Sequence, residues 1–341
     1  MSLPLDTKDV KQAFYWLARA CGLFALSRRL TARGLRILCY HGVSVTTLDE
    51  WRPMLFIKPA TFAARLDRLV ALAYPVLSLD EATRRLADGT LPPNATVITI
   101  DDGFSLTERE CVPLLKQRAL PATIYVTSFY AMAEKPIFEL VVQYLLWRGE
   151  REGTDLGGDL QRLLGLAAEA SHAAMMDAFQ ARTLADKEAI CAELASVLGE
   201  TPEQVWGSGE FSLMSPAQVS AAAREEGISI QLHTRRHRFP ADEAVMTAEI
   251  TDNRRDLEPL VTEPLEHFCY PSGLWSEAQF DTLARLGIRS STTTDNGLNY
   301  PTAHRFALRR YLDSEINTML EFEAELSGFA HLLRTALRRP G

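Results

Sequence analysis

The sequence predicts an α/β protein built as a deformed (β/α) barrel with a helical insertion, and three observations support this fold class. Short apolar segments alternate with helical segments from about residue 36 to residue 312, and this alternation favours parallel βα units. Roughly seven or eight such units can be counted, as a barrel requires. Acidic and histidine residues directly follow predicted strands, where the sites of this architecture lie.

The predicted strands are short runs of apolar and β-branched residues. They are expected at 36–40, 75–77, 97–100, 122–126, 228–232, 268–270 and 288–292. The helices between them have recognisable starts. Capping-box spacing or a proline at the first helical position marks helix starts at Ser78–Glu81, Thr107–Glu110, Ser215–Pro216 and Ser276–Gln279.

Composition limits the classes of protein that the chain can represent. Its 341 residues are 47% hydrophobic, which is enough for a large core in one domain. A net charge of −8 argues against a general nucleic-acid binder. The five cysteines are odd in number and form no Cys-x-x-Cys pair, so neither a disulfide framework nor a cysteine zinc site is indicated, and a reducing compartment is expected.

Three regions are distinguished along the chain. Residues 1–35 form an amphipathic helical segment, 36–312 the barrel, and 313–341 a final helix and tail. Within the barrel, about 136–209 is rich in Leu, Ala and Glu without a convincing strand, which predicts a helical insertion covering the carboxyl-terminal rim. A separate helical domain is the alternative for this stretch.

The N-terminal segment has two possible roles. Its apolar residues between 10 and 30 are interrupted by charges and are too few to span a bilayer, and no signal-peptide cleavage site follows them. One hypothesis is a helix packed on the domain. The other is a helix lying on an anionic membrane face, because seven Lys or Arg residues fall between Lys8 and Arg36. A cytoplasmic protein, with peripheral contact at the inner membrane face as an alternative, is therefore expected.

Two strand-end clusters carry residue types suited to hydrolytic metal chemistry. Asp101 and Asp102 follow the strand 97–100, and His233 and His237 follow the strand 228–232. Two histidines and one carboxylate form a facial triad that leaves coordination positions open for water and substrate. A second carboxylate beside the ion can take a proton from that water.

These segments resemble the first two motifs of the polysaccharide deacetylases, the NodB-homology fold of carbohydrate esterase family four. The Ile-Asp-Asp-Gly and His-Thr-x-x-His segments carry the resemblance, which extends over most of 36–312 outside the insertion. It implies that Asp101 is the catalytic base. It also implies that Asp102, His233 and His237 bind a divalent metal, with zinc expected and cobalt or nickel also suitable.

The third motif of the family departs from its usual Arg-x-Pro-Tyr form. Its nearest match here is Cys-Tyr-Pro-Ser-Gly at 269–273. The resemblance implies an oxyanion contact from the backbone amide of Ser272, which depends little on the side chain. The missing arginine leaves the partner of Asp101 open, and Arg309 or Arg310 could replace it.

The general acid is predicted at the end of the first strand. Leu38-Cys39-Tyr40-His41 matches the Leu-x-x-His motif, in the permuted order of biofilm-polysaccharide deacetylases, so His41 is expected to protonate the leaving amine. His267 and His304 are the alternatives.

The resulting hypothesis is metal-assisted hydrolysis of the N-acetyl group of an amino sugar in a polysaccharide, glycolipid or nucleotide-linked glycan. One alternative is a hydrolase of another C–N bond, in a formamide or cyclic ureide, using the same metal core. The other is a non-catalytic glycan-binding protein. An amino-sugar glycan or glycolipid is the expected partner, nucleic acid is not, and the oligomeric state is left open.

Overall fold

The computed structural model describes residues 7–167 and 169–337, and its centre is a seven-stranded parallel sheet. The strands are β1 (Arg36–Tyr40), β2 (Gly42–Val43), β3 (Phe56–Ile57), β4 (Thr96–Ile100), β5 (Ala122–Val126), β6 (Ile228–Leu232), β7 (His267–Cys269), β8 (Ser290–Thr292) and β9 (Tyr311–Leu312). The main sheet has the order β8-β7-β6-β5-β4-β1-β9, and β2 pairs with β3 in a small separate sheet. Every neighbouring pair is parallel.

The sheet curls until its two edges approach each other. Thr292 in the edge strand β8 forms a parallel bridge with Leu308, three residues before the other edge strand begins. The Leu308 amide donates to the Ser291 carbonyl at 3.0 Å, and the Thr293 amide donates to Leu308 at 2.9 Å. This arrangement confirms the deformed parallel barrel that the sequence predicts.

The strands are apolar because helices cover the outer face of the sheet while its inner face is filled by side chains. All five residues of β1, β4 and β5 are buried, as expected for parallel strands. The helices are α1 (Thr7–Ala20), α2 (Leu23–Leu30), α3 (Leu48–Trp51), α4 (Pro59–Ala71), α5 (Leu79–Ala87), α6 (Val112–Gln117), α7 (Ser128–Ala133), α8 (Phe138–Glu152), α9 (Leu156–Leu164), α10 (His172–Gln180), α11 (Leu184–Val197), α12 (Pro202–Trp206), α13 (Pro216–Ala223), α14 (Glu243–Leu257), α15 (Phe280–Arg285), α16 (Met319–Leu326) and α17 (Phe329–Leu337).

Two local predictions are wrong. The segment 75–77 is not a strand, because only Val76 bridges to the sheet, at Thr96. Thr107 does not cap a helix: it begins a π-helical turn at Thr107–Cys111 whose preceding residue is already helical. Its hydroxyl is buried and has no hydrogen-bond partner among the described residues. Other helix starts form as expected, including full capping boxes at Ser215 and Ser276.

The region 136–209 consists of the helices α8 to α12, as the composition predicts. Their apolar side chains form a second core that includes Phe138, Leu160 and Phe179. The same core contains Phe56 of β3 and Phe104, which follows the acid pair closely. This shared core favours a helical insertion packed on the barrel rim over a separate helical domain. The described C-terminal region has two helices, α16 and α17, rather than one, and the predicted tail lies outside the described residues from 338 onward.

Candidate metal centre and catalytic residues

Strand register brings the candidate residues together at the carboxyl-terminal rim. Tyr40 pairs with Ile100 between β1 and β4, so the residues that follow, His41 and Asp101, are neighbours. Leu232 pairs with Phe268 between β6 and β7, which places His233 beside Cys269. The two predicted motifs therefore meet at one edge of the sheet although more than a hundred residues separate them.

A tight turn after β4 directs the two acids differently. Asp102 and Gly103 both have positive φ angles, of 69° and 77°, which turn the chain sharply after Asp101. A Cβ atom at Gly103 would lie 3.0 Å from the Val126 side chain. Glycine therefore suits this position for both its backbone conformation and its close packing.

Asp102, His233 and His237 form a three-residue group with the composition of a facial triad. Oδ1 of Asp102 lies 3.1 Å from Nε2 of His233 and 3.2 Å from Nε2 of His237. One ligand atom from each residue lies within 4.8 Å of the others. The His237 side chain is 42% exposed, so the group is accessible from solvent on that side.

The contacts of His233 show that this group fits a cation. Its Nδ1 lies 2.8 Å from the Cys269 carbonyl oxygen, and because a carbonyl only accepts, Nδ1 carries the proton. In the neutral imidazole, Nε2 is then an acceptor that faces the acceptor Oδ1 of Asp102. Two acceptors at this distance need a cation or a proton between them. Metal-binding histidines usually donate their second ring N–H to a carbonyl or carboxylate oxygen, and the Cys269 carbonyl accepts such a hydrogen bond from His233.

The charges of the group agree with this arrangement. Burial alone would lower the pKa of His233, but its hydrogen bond to Asp102 and the charges of both acids raise it overall. Burial alone would raise the pKa of Asp102, but the nearby histidines bring it well below its usual range. Asp102 is therefore ionised, and the space between it and the imidazoles favours positive charge.

Asp101 is held by Arg310 in a fully buried ion pair. Nη1 and Nη2 of Arg310 donate to Oδ1 and Oδ2 of Asp101, each at 2.7 Å. Burial opposes ionisation of Asp101, but the charge and hydrogen bonds of Arg310 outweigh it and lower the pKa of Asp101 well below its usual range. Of the two arginines left open by the sequence, Arg310 is the partner, whereas Arg309 is exposed.

Cysteines complete the surroundings of Asp101 and were missed by the sequence reasoning. The thiols of Cys269 and Cys39 lie 3.3 and 3.5 Å from Oδ2 of Asp101. Cys269 stands where the family motif has its arginine, and its Sγ lies 3.1 Å from Nη2 of Arg310. A small thiol thus leaves room for a guanidinium that arrives from the segment before β9. The substituted motif is the signal that could have indicated this exchange.

His41 lies beside Asp101 rather than in the three-residue group. Its Nε2 is 3.8 Å from Oδ2 of Asp101, and 17% of its side chain is exposed. Burial lowers the pKa of His41 despite the nearby carboxylates Asp101 and Asp102. His41 is therefore neutral at neutral pH, and its distance from Asp101 exceeds that of a direct hydrogen bond.

Ser272 lies in the turn that follows β7. It is exposed and has a φ of 57°, and the next amide, of Gly273, donates to the Tyr270 carbonyl at 3.0 Å. Within the described residues no hydrogen bond joins Ser272 to the acids or histidines of the rim. Its oxyanion role remains a prediction.

The alternative histidines do not belong to this rim. His267 is the first residue of β7, at the opposite end of the strand from Cys269, and its Nδ1 lies 2.7 Å from the Ser290 hydroxyl. His304 stacks on Phe280 with ring centroids 4.2 Å apart. These positions favour His41 among the candidate acids.

A cleft of 560 Å³ lies between the helical insertion and the loop that carries His237. Arg236 and Arg238, on either side of His237, line it together with aromatic and charged side chains of the insertion and of α7. Asp102, His233 and His237 do not line this cleft, which adjoins the three-residue group only through the chain neighbours of His237.

Comparison with known proteins agrees with this description. Residues 170–291 match the family model described as polysaccharide deacetylase, a stretch that includes both histidines and the 269–273 turn but not the acid pair. No curated protein matches the chain by sequence.

Solved structures share the fold over most of the chain. IcaB from Ammonifex degensii is 19% identical, with a TM-score of 0.56 over 86% of this chain and 97% of that one. The de-N-acetylase from Aggregatibacter actinomycetemcomitans is 13% identical, with a TM-score of 0.56 over 85% and 99%. BC0361, a polysaccharide deacetylase from Bacillus cereus, is 15% identical, with a TM-score of 0.53 over 86% and 69%. The family match and the shared fold confirm the resemblance to the NodB-type polysaccharide deacetylases.

Proposed function

We propose that the protein is a metal-dependent deacetylase that hydrolyses the N-acetyl group of an amino sugar in a polysaccharide, glycolipid or nucleotide-linked glycan. The observation that carries the proposal is the contact of one Asp102 oxygen with both imidazoles, at 3.1 and 3.2 Å. A second carboxylate, Asp101, lies beside this group and is kept ionised by Arg310. The match to the polysaccharide deacetylase family supports the same class of reaction.

Asp102, His233 and His237 would hold the cation, with zinc the expected metal. A divalent ion bound there supplies Lewis-acid polarisation of the acetamide carbonyl and of the attacking water. The exposed edge of His237 leaves the bound ion accessible to substrate. The cleft beside His237 would bind the neighbouring sugar units.

Asp101 acts as the base in this proposal. Arg310 keeps its carboxylate ionised and fixes its orientation through two hydrogen bonds, so it is ready to accept a proton from water as the oxygen adds to the acetyl carbon. The same ion pair makes Asp101 a weak base, which favours passing the proton onward.

His41 is the group that can receive that proton and deliver it to the amine. Its Nε2 lies 3.8 Å from Oδ2 of Asp101, so the transfer needs one intervening water, and an imidazole is ordinarily the stronger base of the two. Cleavage of the C–N bond then leaves acetate and a sugar amine protonated by His41. The amide of Ser272 would donate to the oxyanion that precedes cleavage.

The proposal is tested by measuring acetate release from N-acetylglucosamine oligomers by the zinc-loaded full chain. Activity should disappear with a chelator, return on addition of zinc, and be lost in Asp101→Asn while zinc remains bound. An apo protein as active as the zinc-loaded one would overturn metal dependence.

The two alternatives are separated by their substrates. Hydrolysis of formamides or cyclic ureides without any acetate release from sugars would assign the protein to another C–N hydrolase class. Glycan binding without turnover by the zinc-loaded chain on any acetylated sugar would indicate a binding protein.

A further inference from the structure

Helices α1 and α2 contact the rest of the protein through α16 and α17. Lys11 of α1 forms an ion pair with Glu321 at 2.8 Å, and Arg19 pairs with Glu323 at 3.2 Å. Tyr15 lies between these two positions and is buried in a small aromatic cluster. The side of α1 that carries Lys11, Tyr15 and Arg19 therefore faces the protein.

The opposite side of α1 is apolar and faces solvent. Val10, Phe14 and Leu17 follow one another at helical spacing, and each is about half exposed. Trp16 lies at the margin of this stripe and is 65% exposed. An amphipathic helix on a globular domain usually packs its apolar side inward, whereas α1 exposes this apolar stripe to solvent.

Helix α2, which contacts α1, also exposes apolar side chains. Leu23, Leu26 and Leu30 lie on one side of the helix, and Leu30 is 67% exposed. Seven of the fifteen large apolar side chains that are exposed in the described residues fall in these two helices. Exposed apolar side chains concentrated on two adjoining helices are typical of a surface that binds a partner.

The charge of the segment indicates which partner. Between residues 8 and 36 there are seven Lys or Arg residues and a single acid, Asp9. Lys11 and Arg19 are paired with acids of α16 and Arg36 is buried, so the charge available to a partner comes from the remaining cations. Arg29 and Arg33 are exposed and form no ion pair within the residues that the structure describes. A symmetric contact with a second copy would place this cationic segment against itself, so an anionic partner fits better.

We propose that α1 and α2 form a peripheral anchor that binds an anionic lipid bilayer. Among the described residues no helix is long and apolar enough to cross a membrane, and both helices are amphipathic, so the apolar stripe would lie in the interface plane. Arg29 and Arg33 would bind lipid phosphates at its edge. The anchor does not depend on the deacetylase activity.

Vesicle flotation of the full chain tests the anchor. The protein should float with vesicles of phosphatidylcholine and phosphatidylglycerol and much less with phosphatidylcholine alone. In Arg29→Gln/Arg33→Gln the partition coefficient for the anionic vesicles should fall about fivefold for each cation removed. This factor corresponds to roughly 1 kcal/mol of attraction for each charge near an anionic surface. In Trp16→Ser/Leu17→Ser/Leu26→Ser it should fall roughly tenfold or more on both vesicle types.

The matched control replaces exposed apolar residues elsewhere. Val70 and Val197 are also about half exposed but lie in α4 and α11, so Val70→Ser/Val197→Ser should bind vesicles like the wild type. Melting temperature and acetate release in solution verify that each variant is folded. Equal loss in the control, absence of flotation, or a soluble dimer that the triple variant dissociates without any change in flotation would overturn the proposal.

Discussion

Replacing Arg310 by methionine should leave Asp101, the proposed base, buried without its counter-charge. Arg310 donates to both oxygens of Asp101 at 2.7 Å, and both side chains are almost completely buried. Methionine fills similar space but offers no donor or charge. The carboxylate must then stay ionised in an apolar environment or take up a proton.

The magnitude follows from the burial of the pair. Removing one partner of a buried ion pair costs about 3–5 kcal/mol of stability, against a total of about 5–15 kcal/mol for a typical domain. Arg310→Met should therefore remain folded at low temperature but denature at clearly lower urea concentration. The double variant Asp101→Asn/Arg310→Met should regain much of the loss, because no unpaired charge is left.

Activity of the Arg310→Met variant should require a higher pH than that of the wild type. With Arg310 gone, burial is opposed only by the smaller effects of His41 and His233 and raises the pKa of Asp101. The proposed base then becomes protonated at pH values where the wild type is ionised. The acidic limb of the pH–rate profile should move to higher pH. Urea denaturation of the zinc-loaded protein and acetate release across pH measure the two effects.

A neighbouring arginine provides the control. Arg309→Met introduces the same change at an exposed position and should alter neither stability nor the pH profile appreciably. If Arg310→Met costs less than about 1 kcal/mol and keeps the wild-type profile, the ion pair neither compensates buried charge nor tunes the base.

Three further predictions concern histidines. His237→Gln should weaken zinc binding at least tenfold in a chelator competition without unfolding the protein, because His237 lies at the exposed side of the group; unchanged affinity would remove it from the ligand set. His41→Gln should reduce acetate release from sugars by about 10²–10⁴-fold but spare an aryl acetate ester, whose leaving group needs no proton; equal loss on both would exclude the acid role. Burial lowers the pKa of His267 to about 4, below its unfolded value of about 6.5. The unfolded chain therefore takes up this proton first as pH falls. His267 should cost about 2 kcal/mol of stability between pH 7 and pH 5, a loss that His267→Gln should lack in urea denaturation at the two pH values.

The sequence predicts those parts of the structure that depend on local pattern. Strand β4 and the acids after it are recognisable because β-branched residues end in Asp-Asp-Gly, and strand-end placement then brings the histidines to the same rim. The choice between Arg309 and Arg310 could not be made, because both precede a strand of only two residues and no alternation indicates which side chain points into the barrel. Only the three-dimensional contact with Asp101, across 209 residues of sequence, decides it.

The turn at Thr107 and the orientation of α1 depend on tertiary packing, which the periodicity of the sequence does not predict. Thr107 has capping-box spacing, yet its neighbours Leu106 and Cys111 are buried and tertiary packing gives a π-helical turn instead. Helix α1 has two faces that could each be packed inward. The face with Tyr15 and Ala18 packs inward against α16 and α17, with the ion pairs of Lys11 and Arg19 at its edges, and the apolar stripe stays exposed.

The distance along the chain between Asp101 and Arg310 has a consequence for biosynthesis. Asp101 leaves the ribosome long before the segment that supplies its guanidinium partner, and the same segment joins the two edges of the sheet. A nascent chain that stops short of Arg310 would have both an open barrel and an uncompensated anion at its centre. The proposed hydrolytic activity should thus arise only after the segment that carries Arg310 has been synthesised and has closed the barrel.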